Sequence, residues 1–277
     1  DWMTDDFDDN DDNQAPDAPE TSADTDGMVV TGDDPYTQPI MPPAGTAVDL
    51  SDFQAYYEGR YRRRLLSSQF FDLRERLYRL QEVLYAQKQF ALLVIFQAMD
   101  GAGKDSMVMQ VVRALNPMLV KMAHFRKPSD EEAQYDFLWR VHKAVPPKGY
   151  IGLFNRSHYE DVLVTRVNGL EPESVWRPRY QHINNFEQML TDSGTLILKF
   201  FLHISRDEQK KRFQARLNNP SKHWKFSPDD FRVREQWDEY MQAYSDAITH
   251  TNTEFAPWYI VPADTKWYRN FIIFRTI

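Results

Sequence analysis

A buried strand that runs into a glycine-containing turn, a lysine and a helix limits the possible folds of this chain more than any other feature. The apolar run 91–97 is followed by the turn 98–103, by Lys104 and by a helical pattern over 104–115. Backbone N–H groups in such a turn, together with the helix N-terminus, can bind an anion, and the lysine can reach its phosphates. We therefore predict a phosphate-binding loop in which Lys104 faces solvent and is catalytic. Its phosphate-binding residues are Gly101, Ala102, Gly103, Lys104 and Asp105.

This loop departs from the common phosphate-loop pattern, and a chance glycine-rich turn is the alternative interpretation. Ala98 replaces the first glycine of that pattern, and Asp105 replaces the Ser or Thr that usually binds magnesium. Asp100 inside the loop would repel bound phosphates unless a cation lay between them. Because Mg²⁺ prefers oxygen ligands, we predict that Asp100 is a metal ligand and a catalytic residue.

Strand-like and helical patterns alternate along most of the chain. Besides 91–97, strands are predicted at 119–125, 150–155, 195–203 and 258–261. Helices are predicted at 65–84, 104–115, 130–144, 173–192, 206–218, 229–249 and 265–277. This alternation predicts an α/β fold in which helices cover both faces of a parallel sheet.

Acidic and basic residues are segregated along the chain. Residues 1–59 contain sixteen Asp and Glu and no Lys or Arg, whereas 60–277 contain all 33 Lys and Arg and 25 Asp and Glu, a net charge of +8. Because the first segment is poor in large apolar residues, we predict a disordered acidic tail over 1–48, either solubilising or regulatory. One domain is predicted over 49–277. Its positive charge favours a polyanionic ligand but does not choose between nucleic acid and other polyanions.

Several classes of protein are excluded or disfavoured by composition. The chain has no cysteine, which excludes disulfides and thiolate metal sites. The longest apolar runs, 90–96 and 195–204, are too short to span a bilayer. The given sequence does not start with the basic and then apolar segments of a secretory signal, so we expect none. We expect a soluble cytoplasmic protein. Since the chain begins at Asp1 without a methionine and its last predicted helix runs to Ile277, we expect further sequence at both ends.

A second polar motif, 155–161, ends the third predicted strand, where open α/β sheets bind ligands. Arg156 could bind a phosphate with two hydrogen bonds. Glu160 and Asp161 could complete a Mg²⁺ site with Asp100, and Asp161 is predicted to be catalytic. The alternative is a helix N-terminus whose acidic residues complement the dipole. His158 is ambiguous, because a packed histidine is as compatible with the pattern as a chemical one.

A third motif is the basic segment 206–225, which Pro220 interrupts. Arg212 and Arg216 share one helical face. The segment is predicted to form part of a helical lid, about 206–228, that brings cations over a reacting phosphate. A solvated basic helix is the alternative.

Taken together, the motifs make the stretch from about 67 to 277 resemble the family-2 polyphosphate kinases. The resemblance is carried by Gln97-Ala98-Met99-Asp100-Gly101-Ala102-Gly103-Lys104-Asp105, Phe137-Leu138-Trp139-Arg140-Val141-His142, the segment 155–162 and Trp224-Lys225-Phe226. It implies a P-loop kinase-like sheet with a helical lid, and phosphoryl transfer between inorganic polyphosphate and a nucleoside mono- or diphosphate.

The same resemblance implies residue roles. Asp100 and Lys104 would organise metal and bind phosphate, Arg156 would contact phosphate, Asp161 would help to hold Mg²⁺, and Arg212 would be the catalytic lid arginine. Arg216 is assigned to phosphate binding from its position on the same face. Some branches of the family carry Asp at the position of Asn155, so no metal role is assigned to Asn155. The motif 155–161 is similar to that of branches that accept AMP, some of which also accept ADP.

We expect polyphosphate and AMP, ADP or ATP as ligands, Mg²⁺ as cofactor and a homo-oligomeric assembly, without nucleic-acid or membrane partners.

Three rival functions stay open at this point. An ATP-dependent nucleotide kinase would share the loop and the lid. A nucleic-acid-binding module would suit the basic domain, although its acidic residues would repel the ligand. A polyphosphate-binding protein without activity is the third.

Overall fold

The computed structural model describes residues 40–59, 63–225 and 229–277, and its centre is a sheet of five parallel strands. The strands are β1 (Ala91–Ala98), β2 (Val120–His124), β3 (Ile151–Asn155), β4 (Thr195–His203) and β5 (Trp258–Pro262). They lie in the order β2-β3-β1-β4-β5. The carboxyl ends of β1 and β3 are therefore neighbours, which brings the first two polar motifs to the same edge of the sheet.

Helices connect the strands and cover both faces. They are α1 (Arg63–Gln87), α2 (Lys104–Arg113), α3 (Trp139–Ala144), α4 (Val164–Val167), α5 (Glu173–Trp176), α6 (Arg179–Asp192), α7 (Arg206–Asn218), α8 (Asp229–Glu235), α9 (Trp237–Thr251) and α10 (Lys266–Thr276). Short 3₁₀ turns occur at Leu50–Asp52, Pro117–Leu119, Glu132–Gln134, His158–Asp161 and Pro220–Lys225. No described helix is both long and apolar enough to cross a membrane.

Successive residues of the central strands alternate between two buried clusters, as strand geometry requires. One cluster includes Leu93, Ile95, Phe154 and Ile197 with Phe186 and Leu190 of α6. The other includes Val94, Phe96, Leu153 and Phe200 with residues of α1, α2, α9 and α10. Because both faces are covered, the strands are apolar along almost their whole length, and this is why they could be identified from sequence.

The predicted α/β fold and all five strands are confirmed, with bounds that differ by one residue at most. Three predicted helices are interrupted. Within 130–144 only Trp139–Ala144 is α-helical, because the Asp136 carboxylate accepts from Leu138 N and forms a local turn. The helix predicted over 173–192 is broken before Arg179, since Pro178 has no N–H to donate. The helix over 229–249 is divided at Gln236.

Residues 40–48 differ from the prediction, which places them in a disordered tail. Ile40 forms an antiparallel bridge to Ile260 on the edge strand β5, and Ile260 N donates to Ile40 O over 2.8 Å. Val48 is buried, and its N–H donates to Thr249 Oγ1 over 2.8 Å. An edge strand offers unpaired backbone groups, so even a short segment gains hydrogen bonds there. Residues 40–48 therefore belong to the fold, while the rest of the predicted tail, 1–39, and lid residues 226–228 lie outside the described residues.

Candidate active site

The turn after β1 has the conformation that a phosphate-binding loop needs. Gly101 and Gly103 have φ angles of 88° and 98°, which side-chain-bearing residues rarely adopt. Gly103 is the N-cap of α2, so the first N–H groups of this helix point into the loop without intrahelical acceptors. The predicted combination of strand, turn and helix N-terminus is therefore present, and it can bind an anion.

Lys104 lies differently from the sequence prediction, which has it facing solvent. It is 8% exposed. Its Nζ donates to Ala98 O over 2.6 Å and to Met99 O over 3.3 Å, and lies 3.5 Å from Asp100 Oδ1. Burial lowers the pKa of the Lys104 ammonium group, and the charge of Asp100 opposes this shift. The carbonyl groups of the preceding turn thus hold the lysine against the loop.

A chain of charges joins the loop to the motif after β3. Arg156 donates through Nη2 to Asp100 Oδ1 over 2.9 Å and through Nη1 to Glu160 Oε2 over 3.2 Å. Burial favours a raised pKa for the Asp100 carboxyl, but the charges of Lys104 and Arg156 outweigh burial and lower that pKa. Glu160 raises the pKa of Arg156 above its usual value. Asp100, Lys104, Arg156 and Glu160 therefore form one connected cluster of two acidic and two basic side chains at the carboxyl ends of β1 and β3.

The backbone of Arg156 has a φ angle of 60°, an unusual value for a residue with a side chain. Such a conformation costs about 1–3 kcal/mol and persists only where the surroundings fix it. Here its N–H donates to Phe96 O over 3.0 Å, while its side chain binds both carboxylates. The strained turn directs the guanidinium group back over the loop, where a phosphate would lie.

Asp161 does not join this cluster. Its Oδ2 lies 3.7 Å from Arg140 Nη2, and its Oδ1 lies 3.6 Å from Arg179 Nη1. Burial raises the pKa of the Asp161 carboxyl, and the two arginines oppose this shift. Across the ranges that the structure describes, no three carboxylate or imidazole side chains lie close enough to hold one ion. The predicted trio of Asp100, Glu160 and Asp161 is therefore not brought together as one site.

The chemistry of the available donors still fits Mg²⁺. In phosphate-binding enzymes this ion commonly uses one or two carboxylates, waters and the phosphates of the substrate. Asp100 is 25% exposed, and its lowered pKa keeps its carboxylate ionised. Asp161 Oδ2 is buried and accepts no hydrogen bond in the described part of the chain. Both are oxygen ligands of the type that the ion prefers.

The two arginines of the predicted lid have different surroundings. Arg212 donates through Nη1 to Gly101 O and Ala102 O, and through Nη2 to Ala263 O and Asp264 O, over 2.7–3.2 Å. Its Nε donates to Glu208 Oε1 over 2.8 Å, so all five N–H groups of Arg212 have acceptors. This helix packs against the loop through Phe213, which lies beside Gly101.

Arg216 lies one turn farther along α7, and its guanidinium group lies over the Phe213 ring, 5.4 Å from the centroid. It is close enough to Asp100 for its charge to contribute to the lowered pKa of that carboxyl. Of the two arginines, Arg212 binds the backbone of the loop, and Arg216 places its positive charge near Asp100.

Sequence reasoning missed several residues of the site. Gln97 donates to Glu160 Oε1 over 3.0 Å and helps to hold that carboxylate. Tyr240 and Tyr244 of α9 are buried beside the cluster, and burial, with the charges of Glu160 and Asp100, raises the pKa of Tyr240 to about 12. The spacing of the two tyrosines (i, i+4) indicates a shared helical face, but nothing local shows which site that face meets.

His158 belongs to a buried network beneath the site. Its Nε2 lies 3.1 Å from Glu187 Oε1, which also accepts from Tyr159 OH over 2.8 Å. Lys199 Nζ donates to Glu187 Oε2 over 2.6 Å and to Tyr159 OH over 2.9 Å. All four side chains are inaccessible to solvent. A buried ion pair tolerates little rearrangement, because losing either partner leaves an uncompensated charge. The structure therefore supports a packing role for His158 and not a chemical one.

Comparison with known proteins agrees with this geometry. The family model described as polyphosphate kinase 2 matches residues 60–277. An AMP/ADP-polyphosphate phosphotransferase of Meiothermus ruber is 54% identical over 201 residues, which cover 73% of this chain and 75% of that protein. An ADP-polyphosphate phosphotransferase of Rhodopseudomonas palustris is 47% identical over 215 residues, which cover 73% of this chain and 74% of that protein.

A solved structure is also similar. The crystal structure of polyphosphate kinase 2 from Arthrobacter aurescens TC1 matches with a TM-score of 0.81 and 44% sequence identity, and the match covers 85% of this chain and 84% of that chain. The family match extends over most of the chain and includes both motifs that meet at the ends of β1 and β3. The chain therefore belongs to the polyphosphate kinase 2 family.

Proposed function

We propose that this protein transfers a phosphoryl group between inorganic polyphosphate and a nucleoside mono- or diphosphate, with AMP and ADP as acceptors. The observation that carries the proposal is the connected cluster of Asp100, Lys104, Arg156 and Glu160 at the carboxyl ends of two neighbouring strands. The polyphosphate substrates in the names of the relatives support it, as does the net charge of +8 over 60–277.

The chemistry of the transfer requires little from the protein besides positioning and charge. The attacking atom is a phosphate oxygen of the nucleotide, which is anionic at neutral pH, so no general base is needed. The main obstacle is repulsion between two polyanions brought into line. Lys104 and Arg156 can reduce it at the loop, and Arg216 can reduce it from α7, because phosphoryl transfer depends mainly on orientation and charge stabilisation.

We assign Mg²⁺ binding to Asp100. Asp161 lies between Arg140 and Arg179, apart from the cluster around Asp100, so its role as a second ligand stays a prediction. Bound Mg²⁺ would neutralise phosphate charge and orient the phosphates. Asp100 has a further task, since its carboxylate holds Arg156 at the mouth of the loop. Glu160 holds the other end of that guanidinium group. Homo-oligomeric assembly, cytoplasmic location and the absence of nucleic-acid and membrane partners stay predictions.

The decisive experiment incubates the purified chain with polyphosphate and Mg²⁺ and with AMP or ADP supplied separately, followed by chromatographic separation of the products. We expect ADP to form from AMP, and ATP to form from ADP. Each product should require both polyphosphate and Mg²⁺. Turnover with ATP as donor and no polyphosphate would instead identify an ATP-dependent kinase, and binding of polyphosphate without any product would identify a binding protein.

The contrast between the two arginines of α7 gives a prediction. We expect Arg216→Ala to lower kcat by roughly 10²-fold and to change the nucleotide KM less, since a cation directed at a reacting phosphate acts mainly in the transition state. Arg212→Ala should lower both kcat and Tm, because it removes all the hydrogen bonds between that guanidinium group and the loop. Steady-state kinetics and thermal melting measure the two effects.

Arg177→Ala serves as the control, because Arg177 is exposed and forms an ion pair with Glu173, which is exposed as well and lies one helical turn earlier. This variant should resemble the parent protein in kcat, KM and Tm. Should Arg216→Ala raise the nucleotide KM alone, Arg216 binds the ground state and the assignment to the transition state is wrong.

A further inference from the structure

Two arginines contact the phosphate-binding loop from behind, and one of them has no role in the reaction described above. Arg212 of α7 donates to Gly101 O and Ala102 O. Arg269 of α10, which is 2% exposed, donates through Nη1 to Ala102 O over 3.1 Å. The carbonyl oxygen of Ala102 therefore accepts hydrogen bonds from two guanidinium groups.

The geometry of the peptide bond gives these contacts a consequence for the front of the loop. In a planar trans peptide, the C=O of one residue and the N–H of the next point in opposite directions. Because Ala102 O faces the two arginines, the N–H of Gly103 faces away from them. Gly103 is the N-cap of α2, a ten-residue helix, and N–H groups at such a position are available to an anion.

The arginine itself is held in place by its neighbour in sequence. Asn270 is buried, and its Oδ1 accepts from Arg269 Nε over 3.1 Å and from Arg269 Nη2 over 2.8 Å. Two hydrogen bonds to one side of a planar guanidinium group fix its orientation as well as its position. The remaining nitrogen of the guanidinium group, Nη1, then points toward Ala102 O and donates to it.

Contact between Arg269 and the loop is direct. A Cβ atom built on Gly103 would lie 2.4 Å from Arg269 Nη1, so no side chain fits between the guanidinium group and the backbone at this point. A shift of Arg269 would therefore leave a gap directly behind the Ala102–Gly103 peptide. Gly103 adopts its φ of 98° without strain because it has no Cβ, and a glycine backbone that can take up many conformations depends on its surroundings to keep one of them.

We propose that Arg269, oriented by Asn270, is a positioning residue that holds the Ala102–Gly103 peptide so that the N–H of Gly103 points at the bound phosphate. This inference rests on the proposed function, because it assigns the loop to a phosphate of the reacting substrates. Arg269 does not touch substrate in this role. It acts through the backbone of the loop, as Arg212 does from α7.

The sharpest test changes Asn270, because its Oδ1 accepts hydrogen bonds from Arg269 and not from the loop. Asn270→Asp keeps an acceptor for Arg269, whereas Asn270→Leu removes it. We expect Asn270→Asp to retain most of the parent kcat and Asn270→Leu to lower kcat roughly tenfold. Arg269→Met should lower kcat by about 10²-fold, the scale of losses from misplaced catalytic groups, and Arg269→Lys should fall between Arg269→Met and the parent. Arg275→Met, in the last turn of the same helix, is the control.

Two measurements separate positioning from a general loss of stability. Amide hydrogen exchange of peptides that cover 99–105 should become faster in Asn270→Leu and Arg269→Met, with little change elsewhere. Binding of tripolyphosphate, measured by calorimetry without nucleotide, should weaken in the same variants. If Arg269→Met does not fold, the comparison of Asn270→Asp with Asn270→Leu decides.

Equal kcat values and equal loop exchange in Asn270→Asp and Asn270→Leu would overturn the proposal. So would a lower Tm in Arg269→Met with unchanged kcat per folded molecule. Failure of the proposed function is a separate result, because the parent protein would then form no ADP or ATP from polyphosphate. In that case the exchange and tripolyphosphate measurements still decide whether Arg269 positions the loop.

Discussion

Replacing Lys104 with alanine should lower kcat by about 10³-fold or more while the domain stays folded. The ammonium group lies within the loop, 3.5 Å from Asp100 Oδ1, and is the cation nearest in sequence to the predicted phosphate site. Without it, the transferring phosphate loses the charge of the loop itself, and Arg156 compensates little because its guanidinium group is already bound to two carboxylates. Steady-state kinetics with saturating polyphosphate and Mg²⁺ measure the loss, and circular dichroism checks the fold.

Because Lys104 also donates to two loop carbonyls, the alanine variant removes charge and loop contacts together. Lys104→Met also lacks the ammonium group and its hydrogen bonds but keeps the apolar part of the side chain, so a loss of kcat equal to that of the alanine variant would exclude lost packing as the cause. Lys148→Ala is the matched control, since Lys148 is exposed and precedes β3 at the opposite end of the sheet. Normal turnover in a folded Lys104→Met protein would remove the assignment of this loop to phosphate.

The location of the site could be predicted from sequence because it depends on strand order and on turn residues. Glycines with positive φ, the lysine that begins α2 and the polar motif after β3 are local signals, and β1 and β3 are neighbours in the sheet. Parallel strands end at the same edge, so motifs that follow neighbouring strands must lie close together. The five strands could be identified for a similar reason, since both faces of the sheet are buried.

The direction of each side chain could not be predicted in the same way. Glu160 and Asp161 are adjacent in sequence, yet one binds Arg156 and the other lies between two arginines from α3 and α6. Arg212 and Arg216 share one helical face, but only the packing of Phe213 against Gly101 decides which of them reaches the loop backbone. These outcomes depend on contacts between residues far apart in the chain, for which periodicity and spacing carry no signal.

Arg269 is the extreme case. It lies 167 positions after Ala102, within α10, and it belongs to none of the motifs recognised in the sequence. Its role becomes visible only when α10 is packed beneath α2 and the acceptor atoms are known. An arginine close to the apolar run 271–274 is the one signal that sequence offers, because an arginine buried with such a run needs hydrogen-bond acceptors inside the protein.

Replacing Asp100 with asparagine should lower kcat by about 10³-fold at ordinary Mg²⁺ concentrations and should raise the Mg²⁺ concentration needed for half-maximal rate. An amide is a poorer magnesium ligand than a carboxylate of the same size. The pKa of the Asp100 carboxyl is below its ordinary value, so the parent protein keeps this ligand ionised at neutral pH and loses it only under acidic conditions. A Mg²⁺ titration of the initial rate measures the shift. Asp136→Asn is the control, because Asp136 is an exposed residue of the β2–α3 connection.

Asp100 also neutralises Lys104 and Arg156, so its loss could act through those cations alone. The two explanations differ in their dependence on metal. If Asp100 only balances charge, Asp100→Asn lowers kcat equally at every Mg²⁺ concentration, and the half-maximal concentration stays that of the parent. If Asp100 binds Mg²⁺, excess metal restores part of the rate of Asp100→Asn. The affinity of this variant for tripolyphosphate without metal should fall little or should rise, since a negative charge has been removed beside an anion site. An unchanged Mg²⁺ midpoint together with a full rate would show that Asp100 is neither a ligand nor a required counter-charge.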